Sequence, residues 1–245
     1  MSEESIQQVQ KNSRPAQNVQ ALEKNASFFA DNNWYKSTQN RLETYRLIAE
    51  SAHHEVQGSK RLLDIGNGGV FVFPIEQIPH VEAIDVFVEE SFATRYPTVK
   101  WREMNVLELA DESRFDTVIA INCLHHVIGS SVSQCYENLN RIFEVVARAV
   151  EPGGKVVFIE STVPGWFLWF YKLLFPILLK FWPLQHPPTF QYYFREIQDA
   201  AKRAGLMQAE LALIPKVSNI MTLGIEVPGW ASPILIGKFV FRKPR

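Results

Sequence analysis

The sequence has few cysteines and almost no net charge. Cys123 and Cys135 are its two cysteines among 245 residues, and 25 basic residues nearly balance 26 acidic ones. Two cysteines do not supply a disulfide framework, and the spacing of Cys123, His125 and His126 matches no usual zinc finger or ribbon. A nearly neutral chain also lacks the positive field that holds a phosphate backbone. We therefore expect no metal ion and no nucleic-acid partner.

The first residues lack the apolar core that a signal peptide requires. Residues 1–20 are rich in Ser, Gln, Asn and Glu and contain almost no large apolar residue. This composition predicts a flexible tail and, together with the scarcity of cysteine, a cytoplasmic protein.

Short apolar runs alternate with helical patterns after residue 60. The runs are RLLDIG, VEAIDVF, VKWREM, FDTVIAI and KVVFIES, and a long helix is expected from about Ser131 to Val150. This alternation predicts an α/β fold in which a mostly parallel sheet carries helices on both faces. The segment PILIGKFVFRK adds a last strand. Because 47% of the residues are hydrophobic, we expect one domain over 21–245, with a helical cap at 21–58.

The segment RLLDIGNGGV, residues 61–70, is a strand that runs into a turn with three glycines in four positions. Glycine has no Cβ, so such a turn brings the backbone close to a ligand. A dinucleotide site requires G-x-G-x-x-G opening a helix, whereas here Val70 follows Gly69 and no further glycine comes in place. The turn therefore predicts a cofactor other than a dinucleotide.

Five motifs follow one another along the predicted sheet. They are LLDIGNGGV at 62–70, VEAIDVF at 81–87, MNVLEL at 104–109, FDTVIAINCLHHV at 115–127 and EPGGKVVFIES at 151–161. In this order and spacing the chain resembles the class I S-adenosylmethionine-dependent methyltransferase family. The resemblance implies a Rossmann-like, mostly parallel seven-stranded sheet with an antiparallel last strand. It also implies S-adenosylmethionine as cofactor and S-adenosylhomocysteine as product.

The resemblance further implies contacts between the cofactor and residues at the strand ends. Asp64 is expected to organise contacts around the methionine amine, while Gly66 and Gly68 let the backbone approach. Asp85 ends the second strand, where a carboxylate can accept both ribose hydroxyls. The implied cofactor residues are Asp64, Gly66, Asn67, Gly68, Asp85, Val86, Asn105, Val106 and Asn122.

Two positions depart from the family pattern. Asn105 stands where many members have an acidic residue that contacts the adenine amino group, and its side-chain oxygen can still accept that bond. Val70 replaces the third glycine of the usual turn, D/E-x-G-x-G-x-G. We therefore expect a shifted turn or a shortened first helix.

Candidate catalytic residues follow the fourth and fifth strands. His125 and His126 come after the fourth strand and Glu160 ends the fifth, so all three should lie at the carboxyl edge of the sheet. A carboxylate behind a histidine fixes its tautomer and stabilises the imidazolium. We hypothesise that one histidine is a general base and that Glu160 orients it. The alternative is that a histidine only caps a helix or lines the pocket.

The segment WFLWFYKLLFPILLKFWPL, residues 166–184, is nearly long enough to span a bilayer. Two lysines and two prolines interrupt it, and it lies between two elements of the sheet, so we predict no membrane span. It belongs to an insert at 162–190 that is either a lid over an apolar acceptor pocket, an amphipathic segment that touches a membrane or a partner, or part of the core. The candidate pocket residues are Trp34, Tyr35, Trp166, Trp169, Phe170, His186, Tyr192 and Tyr193.

These features predict transfer of a methyl group from S-adenosylmethionine to an O or N atom of a hydrophobic small molecule, in specialised metabolism, by a monomer or homodimer. One alternative is a quinone or lipid methyltransferase that makes peripheral contact with a membrane surface. Another is a cofactor-binding scaffold without catalytic activity. The apolar residues restrict the size and hydrophobicity of the acceptor but do not identify it.

Overall fold

The computed structural model describes residues 42–181, 187–214, 216–218, 226–228 and 234–245, together with five residues nearer the N-terminus. Those five are Asn18, Ala21, Glu23, Lys24 and Ser27. The predicted tail at 1–20 lies outside the described residues except for Asn18, whose N–H donates to the carbonyl of Ile128 at 2.8 Å.

Strands and helices alternate along the chain. The strands are β1 (Arg61–Ile65), β2 (His80–Asp85), β3 (Val99–Glu103), β4 (Phe115–Ile121), β5 (Val150–Thr162), β6 (Met207–Leu213), β7 (Lys216–Ser218), β8 (Glu226–Pro228) and β9 (Leu235–Arg242). The helices are α1 (Glu43–Val56), α2 (Glu90–Arg95), α3 (Val132–Ala149), α4 (Gly165–Lys180) and α5 (Phe194–Arg203). The long helix predicted after the fourth strand is α3, and Ser131 caps it by accepting the N–H of Gln134.

Seven strands form one sheet in the order β3-β2-β1-β4-β5-β9-β6. Strands β1 to β5 are parallel, and β9 runs antiparallel between β5 and β6. The predicted mostly parallel, seven-stranded sheet with an antiparallel last strand is therefore confirmed. Strands β7 and β8 pair separately as two antiparallel strands.

Each face of the sheet carries an apolar layer because neighbouring residues of a buried strand point to opposite faces. Leu62 of β1 belongs to the buried cluster that contains Ile48 of α1. The next residue, Leu63, belongs to the cluster on the other face, together with Leu139 and Phe143 of α3. The helices thus hold the sheet between them.

An irregular segment follows β1 where the family pattern has a helix. Residues 66–79 form turns and bends and contain no helix. Pro74 and Pro79 interrupt the segment, and Phe73 and Ile75 are buried against the α1 face of the sheet. The departure is therefore larger than the predicted shortening, since no helix separates β1 from β2.

Helix α4 carries most of the apolar insert. Tyr171 and Phe175 are its buried residues. The Tyr171 hydroxyl donates to the carbonyl of Thr189 at 2.8 Å and accepts the N–H of Gln191 at 3.0 Å. Of the helices in the described part of the chain, none is both long enough and apolar enough to cross a membrane.

Candidate active site

The strand order reverses at β1, which lies between β2 on one side and β4 on the other. In open α/β sheets, ligands bind outside the carboxyl ends of the strands at such a switch point. Five residues selected by their chemistry meet at this edge of the sheet. They are Asp64 on β1, Asp85 on β2, Asn122 and Cys123 after β4, and Glu160 on β5.

The glycine turn after β1 follows a left-handed path that only glycine adopts without strain. Gly66, Gly68 and Gly69 have φ angles of +70°, +63° and +77°. A Cβ on Gly66 would lie 2.4 Å from Sγ of Cys123, and one on Gly69 would lie 2.2 Å from the ring of Phe92. A Cβ on Gly68 would meet nothing within 4 Å. Gly66 and Gly69 are therefore required by packing, while Gly68 faces open space.

Asp64 is a buried carboxylate that forms no ion pair with a basic side chain among the described residues. Its side chain accepts the Nδ2 hydrogen of Asn67 at 2.7 Å. Burial raises the pKa of the carboxyl from 3.8 to about 7, the Asn67 hydrogen bond opposes this rise, and the nearby charge of Asp85 adds to it. The Oδ1 atom of Asn67 is buried and has no hydrogen-bond partner in the described part of the protein.

Asp85 holds the turn from the end of β2. One carboxylate oxygen accepts the N–H of Gly68 at 2.9 Å, and the other accepts the N–H of Phe87 at 3.2 Å. Burial raises the pKa of this carboxyl, although hydrogen bonds from Gly68, Phe87 and Val86 partly offset the effect. Val86, which follows Asp85 directly, is partly buried.

The charges at this edge fit a cationic ligand. None of the ion pairs formed among the described residues involves Asp64 or Asp85. Burial raises the pKa of the Cys123 thiol well above its usual range, and Glu160, Asp85 and Asp64 raise it further. A cation would relieve these carboxylates. The unpartnered oxygen of Asn67 can accept an N–H, and the open space beside Gly68 leaves room for a ligand. These residues therefore fit the cofactor that the resemblance implies.

The remaining predicted cofactor residues flank this cluster. The side-chain oxygen of Asn105 accepts the N–H of Leu107 at 3.0 Å, which caps a short 3-10 turn at Val106–Glu108. Val106 is buried. Asn122 has a φ of +50°, and its N–H donates to the carbonyl of Ile159 at 2.8 Å. The adenine contact expected of Asn105 and the cofactor contact expected of Val106 stay predictions.

His125 and Glu160 are in direct contact. Nδ1 of His125 lies within hydrogen-bonding distance of Oε1 of Glu160, and both side chains are buried. The other oxygen of Glu160 accepts the N–H of Leu124 at 2.6 Å. His126 is partly buried, and its ring centroid lies 4.2 Å from that of His125. Of the two histidines, His125 therefore has the geometry of an oriented base.

Two further residues join this pair, and sequence reasoning missed both. The hydroxyl of Ser161 lies 3.1 Å from Nδ1 of His125 and 2.7 Å from Oε1 of Gln191. The main-chain N–H of Gln191 donates to the Tyr171 hydroxyl at 3.0 Å. The network thus links the histidine to helix α4. The position of Ser161 directly after Glu160 was the one available signal.

The five candidate pocket residues that the structure describes do not converge. Trp166, Trp169 and Phe170 are exposed on α4, and Trp166 and Trp169 expose about three quarters of their surface. Tyr192 is fully buried, and its hydroxyl donates to the carbonyl of Cys135 at 2.9 Å. Tyr193 is partly buried beside Phe194. The other three candidates, Trp34, Tyr35 and His186, lie outside the described residues.

No group of three or more His, Cys, Asp and Glu side chains that could hold a metal ion occurs among the described residues.

Residues 63–158 match a family model described as a methyltransferase domain. The match begins in β1 and ends in β5, so it contains the glycine turn, Asp85, Asn105 and both histidines. It confirms the prediction of a methyltransferase. No curated protein sequence matches the chain.

Solved structures of methyltransferases share the fold. Geranyl diphosphate C-methyltransferase from Streptomyces coelicolor A3(2) superposes with a TM-score of 0.59 at 14% identity, covering 83% of this chain and 80% of that one. The 1,6-didemethyltoxoflavin-N1-methyltransferase from Burkholderia thailandensis gives 0.53 at 16% identity, with coverages of 93% and 85%. The N-methyltransferase NodS from Bradyrhizobium japonicum WM9 gives 0.53 at 15% identity, with coverages of 92% and 98%. At such identities the likeness establishes the fold.

Proposed function

We propose that this chain, in which residues 63–158 form a methyltransferase domain, transfers a methyl group from S-adenosylmethionine to an O or N atom of a hydrophobic small molecule. The neighbours named above include enzymes that methylate geranyl diphosphate and 1,6-didemethyltoxoflavin. The proposal takes the acceptor to be a small molecule as well, with specialised metabolism as its setting.

The observation that carries this proposal is the pair of carboxylates beside the glycine turn. Asp64 and Asp85 have raised pKa values and form none of the ion pairs among the described residues. S-adenosylmethionine bears an ammonium group and a ribose diol, and when bound it supplies a methyl group activated by a sulfonium. Asp85 can accept the two hydroxyls with its two oxygens, and Asn67 can accept an ammonium hydrogen.

His125 is the candidate base for acceptors that must lose a proton. Glu160 occupies the Nδ1 side of the ring, so Nε2 is the nitrogen that can take a proton from an acceptor. Glu160 also stabilises the imidazolium that results. Asp64, Asp85 and Glu160 place negative charge around the site, which favours a bound cation.

Calorimetric titration with S-adenosylmethionine and with S-adenosylhomocysteine tests the cofactor. We expect saturable binding to the wild-type chain and roughly 10- to 100-fold weaker binding to Asp85→Asn, because a charge-assisted hydrogen bond to the ribose is lost. Asp199→Asn is the matched control, since Asp199 is exposed on α5, far along the chain from the site. The absence of binding to folded wild-type protein would overturn the proposal.

A transfer assay separates the enzyme from an inactive scaffold. The wild-type chain is incubated with S-adenosylmethionine and a set of aromatic and isoprenoid acceptors that differ in O and N nucleophiles. We expect S-adenosylhomocysteine to form only in the presence of a subset of hydrophobic acceptors. Tight cofactor binding without turnover on any of them would instead support the cofactor-binding scaffold.

A further inference from the structure

One side of α4 is an exposed apolar stripe, which we call the outer stripe. Apart from one adjacent pair, Trp169 and Phe170, successive members lie three or four residues apart along the chain. They therefore share one face of the helix. Each exposes between 46% and 75% of its surface. Single exposed hydrophobic residues are normal, but a contiguous row of large ones marks an interaction site. The members are Trp166, Trp169, Phe170, Leu173 and Ile177 of α4 and Phe181, the residue that directly follows the helix.

The opposite side of α4 is anchored to the domain, so the outer stripe is held outward. Tyr171 and Phe175 are buried in the main apolar cluster, and the Tyr171 hydroxyl bonds to Thr189 and Gln191. Lys172 forms an ion pair with Glu196 of α5 at 2.8 Å. The 16 residues of α4 give the stripe a length of about 24 Å.

The segment that carries the outer stripe contains basic residues and no acidic ones, although one of its lysines, Lys172, is paired with Glu196 of α5. The sequence contains no Asp or Glu from residue 161 to residue 195, whereas Lys172, Lys180 and Arg195 lie in this segment. Lys180 is exposed at the end of α4, and its ammonium lies 5.2 Å from the centre of the Phe181 ring. A surface that combines Trp, Phe and Lys without acidic residues suits the boundary between anionic lipid headgroups and acyl chains.

We propose that α4 binds the surface of an anionic lipid bilayer, with its axis in the plane of the membrane and the outer stripe inserted below the headgroups. The helix is too short and too interrupted to span the bilayer, and its other side stays packed on the domain. Protein interfaces also bury aromatic residues, but they are depleted in lysine, and nothing acidic on this segment offers a partner charge. The inference does not depend on methyl transfer.

Vesicle flotation tests the proposal on the full chain. The probes are vesicles of phosphatidylcholine alone and vesicles of phosphatidylcholine with phosphatidylglycerol. We expect binding to the mixed vesicles, weaker binding to phosphatidylcholine alone, and a blue shift of tryptophan fluorescence on binding.

Two variants and one control locate the contact. Leu173→Ser combined with Ile177→Ser should weaken partitioning about tenfold or more, because two apolar side chains no longer enter the acyl region. Lys180→Gln should weaken binding to the mixed vesicles about fivefold at low salt, and the difference should vanish at high salt. The matched control combines Met207→Ser with Leu213→Ser on β6, where the two side chains are equally exposed, at 58% and 55%, and binding should not change.

Circular dichroism and thermal unfolding verify that each variant is folded, so the vesicle test stands whether or not the chain binds S-adenosylhomocysteine. Absence of wild-type binding to both vesicle types would overturn the proposal. Equal loss in the β6 control would overturn it too, because the contact would not lie on α4. A dimer in solution that the Leu173 and Ile177 substitutions dissolve, without vesicle binding, would assign the outer stripe to a second copy of the chain instead.

Discussion

The Glu160 carboxylate has four hydrogen-bond partners, and this number explains why a carboxylate stands there. The N–H groups of Leu124 and Ser161 donate at 2.6 and 2.7 Å, the Ser161 hydroxyl lies at 3.2 Å, and Nδ1 of His125 is the fourth partner. A glutamine would present an amide nitrogen to one of these donors and leave it unsatisfied in a buried place. The residue therefore both positions the histidine and fixes the loop after β4.

The first prediction concerns catalysis by this pair. Once an acceptor is known, His125→Asn should lower kcat by about 10²- to 10⁴-fold if the acceptor must lose a proton. Glu160→Gln should also lower kcat and should move the acidic limb of the pH–rate profile, because the imidazolium loses its counter-charge. His126→Asn is the neighbouring control and should have a smaller effect. A full rate in His125→Asn with an acidic, phenol-like acceptor would remove the base from the mechanism.

The contact between His125 and Glu160 was accessible from the sequence, whereas the rest of the network was not. Both residues follow strands that are neighbours in a parallel sheet, so the topology alone brings them to one edge. Ser161 and Gln191 meet through a bond between residues 30 positions apart, across the whole of α4. No periodicity or motif records such a contact, because it depends on how an irregular segment at 187–193 returns to the sheet.

The second prediction concerns the buried carboxyl of Asp64. Its pKa of about 7 lies above the ordinary 3.8, so the folded protein holds this proton more tightly than the unfolded chain does. Folding therefore takes up a proton between these two values, and the free energy of unfolding falls as the pH rises through that window. Above it, Asp64→Asn should stabilise the ligand-free protein by roughly 2–4 kcal/mol, since the amide has no charge to bury.

Thermal unfolding of wild type and Asp64→Asn without ligand, at about pH 5 and about pH 8, checks this prediction. The gain in the midpoint should be large at the higher pH and small at the lower one. Asp85→Asn is not an equivalent control because its carboxylate holds Gly68 and Phe87 by hydrogen bonds. A variant that is equally destabilised at both pH values would show that Asp64 is ionised without cost.

At the scale of elements, the glycine turn after β1 both packs against Cys123 and forms part of the predicted cofactor site. The third prediction compares a glycine of this turn with a glycine elsewhere that has a similar backbone angle. Gly58, at +77°, has nothing within 4 Å of an added Cβ, so Gly58→Ala should cost only the left-handed strain, roughly 1–2 kcal/mol. Gly66→Ala introduces the same backbone strain and also places a methyl group 2.4 Å from Sγ of Cys123. It should therefore lower stability further and weaken cofactor binding.

Denaturant unfolding of both variants measures the difference, and a double variant identifies its cause. Adding Cys123→Ala to Gly66→Ala removes the sulfur and should restore part of the lost stability, so the two effects should not add. The restoration is incomplete because Cβ of Cys123 itself would remain 2.9 Å from the new methyl group. Equal costs at Gly58 and Gly66 would mean that the chain relaxes around Cys123 without resistance.

The elements themselves were largely predictable, with two exceptions that have physical causes. The strands and α3 follow from apolar periodicity and from caps, and the mostly parallel seven-stranded sheet with its antiparallel last strand follows from the resemblance. The helix after β1 is absent because Pro74 and Pro79 interrupt residues 70–79. The apolar side chains of this segment, such as Phe73 and Ile75, are instead buried from irregular backbone. On α4, composition drew attention to the tryptophans, whereas the helical spacing of Tyr171 and Phe175 marks the side that is buried.

At the scale of the whole molecule, carboxyl groups with lowered pKa values and the Asp64 carboxyl, whose pKa is raised, have opposite effects on how stability depends on pH. Burial disfavours ionisation of Glu55, but Lys238 and Lys155 outweigh it, and the pKa of Glu55 is lowered. Burial acts in the same way on Asp111, where Arg102 and Arg114 prevail and the pKa is also lowered. Groups with lowered pKa values contribute stability that is lost as the pH falls through those values. Since Asp64 acts in the opposite direction at higher pH, the ligand-free protein should be most stable at mildly acidic pH.

The fourth prediction is that the cofactor moves this optimum toward higher pH. The ammonium group of the ligand favours the ionised form of Asp64, so proton release and ligand binding are coupled at this residue. S-adenosylhomocysteine at about 100 times its dissociation constant should stabilise the protein by about 2.7 kcal/mol. At one fixed ligand concentration, the rise in the unfolding midpoint should be greater at about pH 8 than at about pH 6, where most of the Asp64 carboxyl is protonated. In Asp64→Asn the rise should be smaller and nearly the same at both pH values, because the titrating group is gone.

Scanning fluorimetry with and without ligand at each pH measures all four conditions, and Asp199→Asn should behave as wild type. A ligand-induced rise that is larger at the lower pH would mean that the ligand binds the protonated site, and the assignment of Asp64 to the ammonium group would then be wrong.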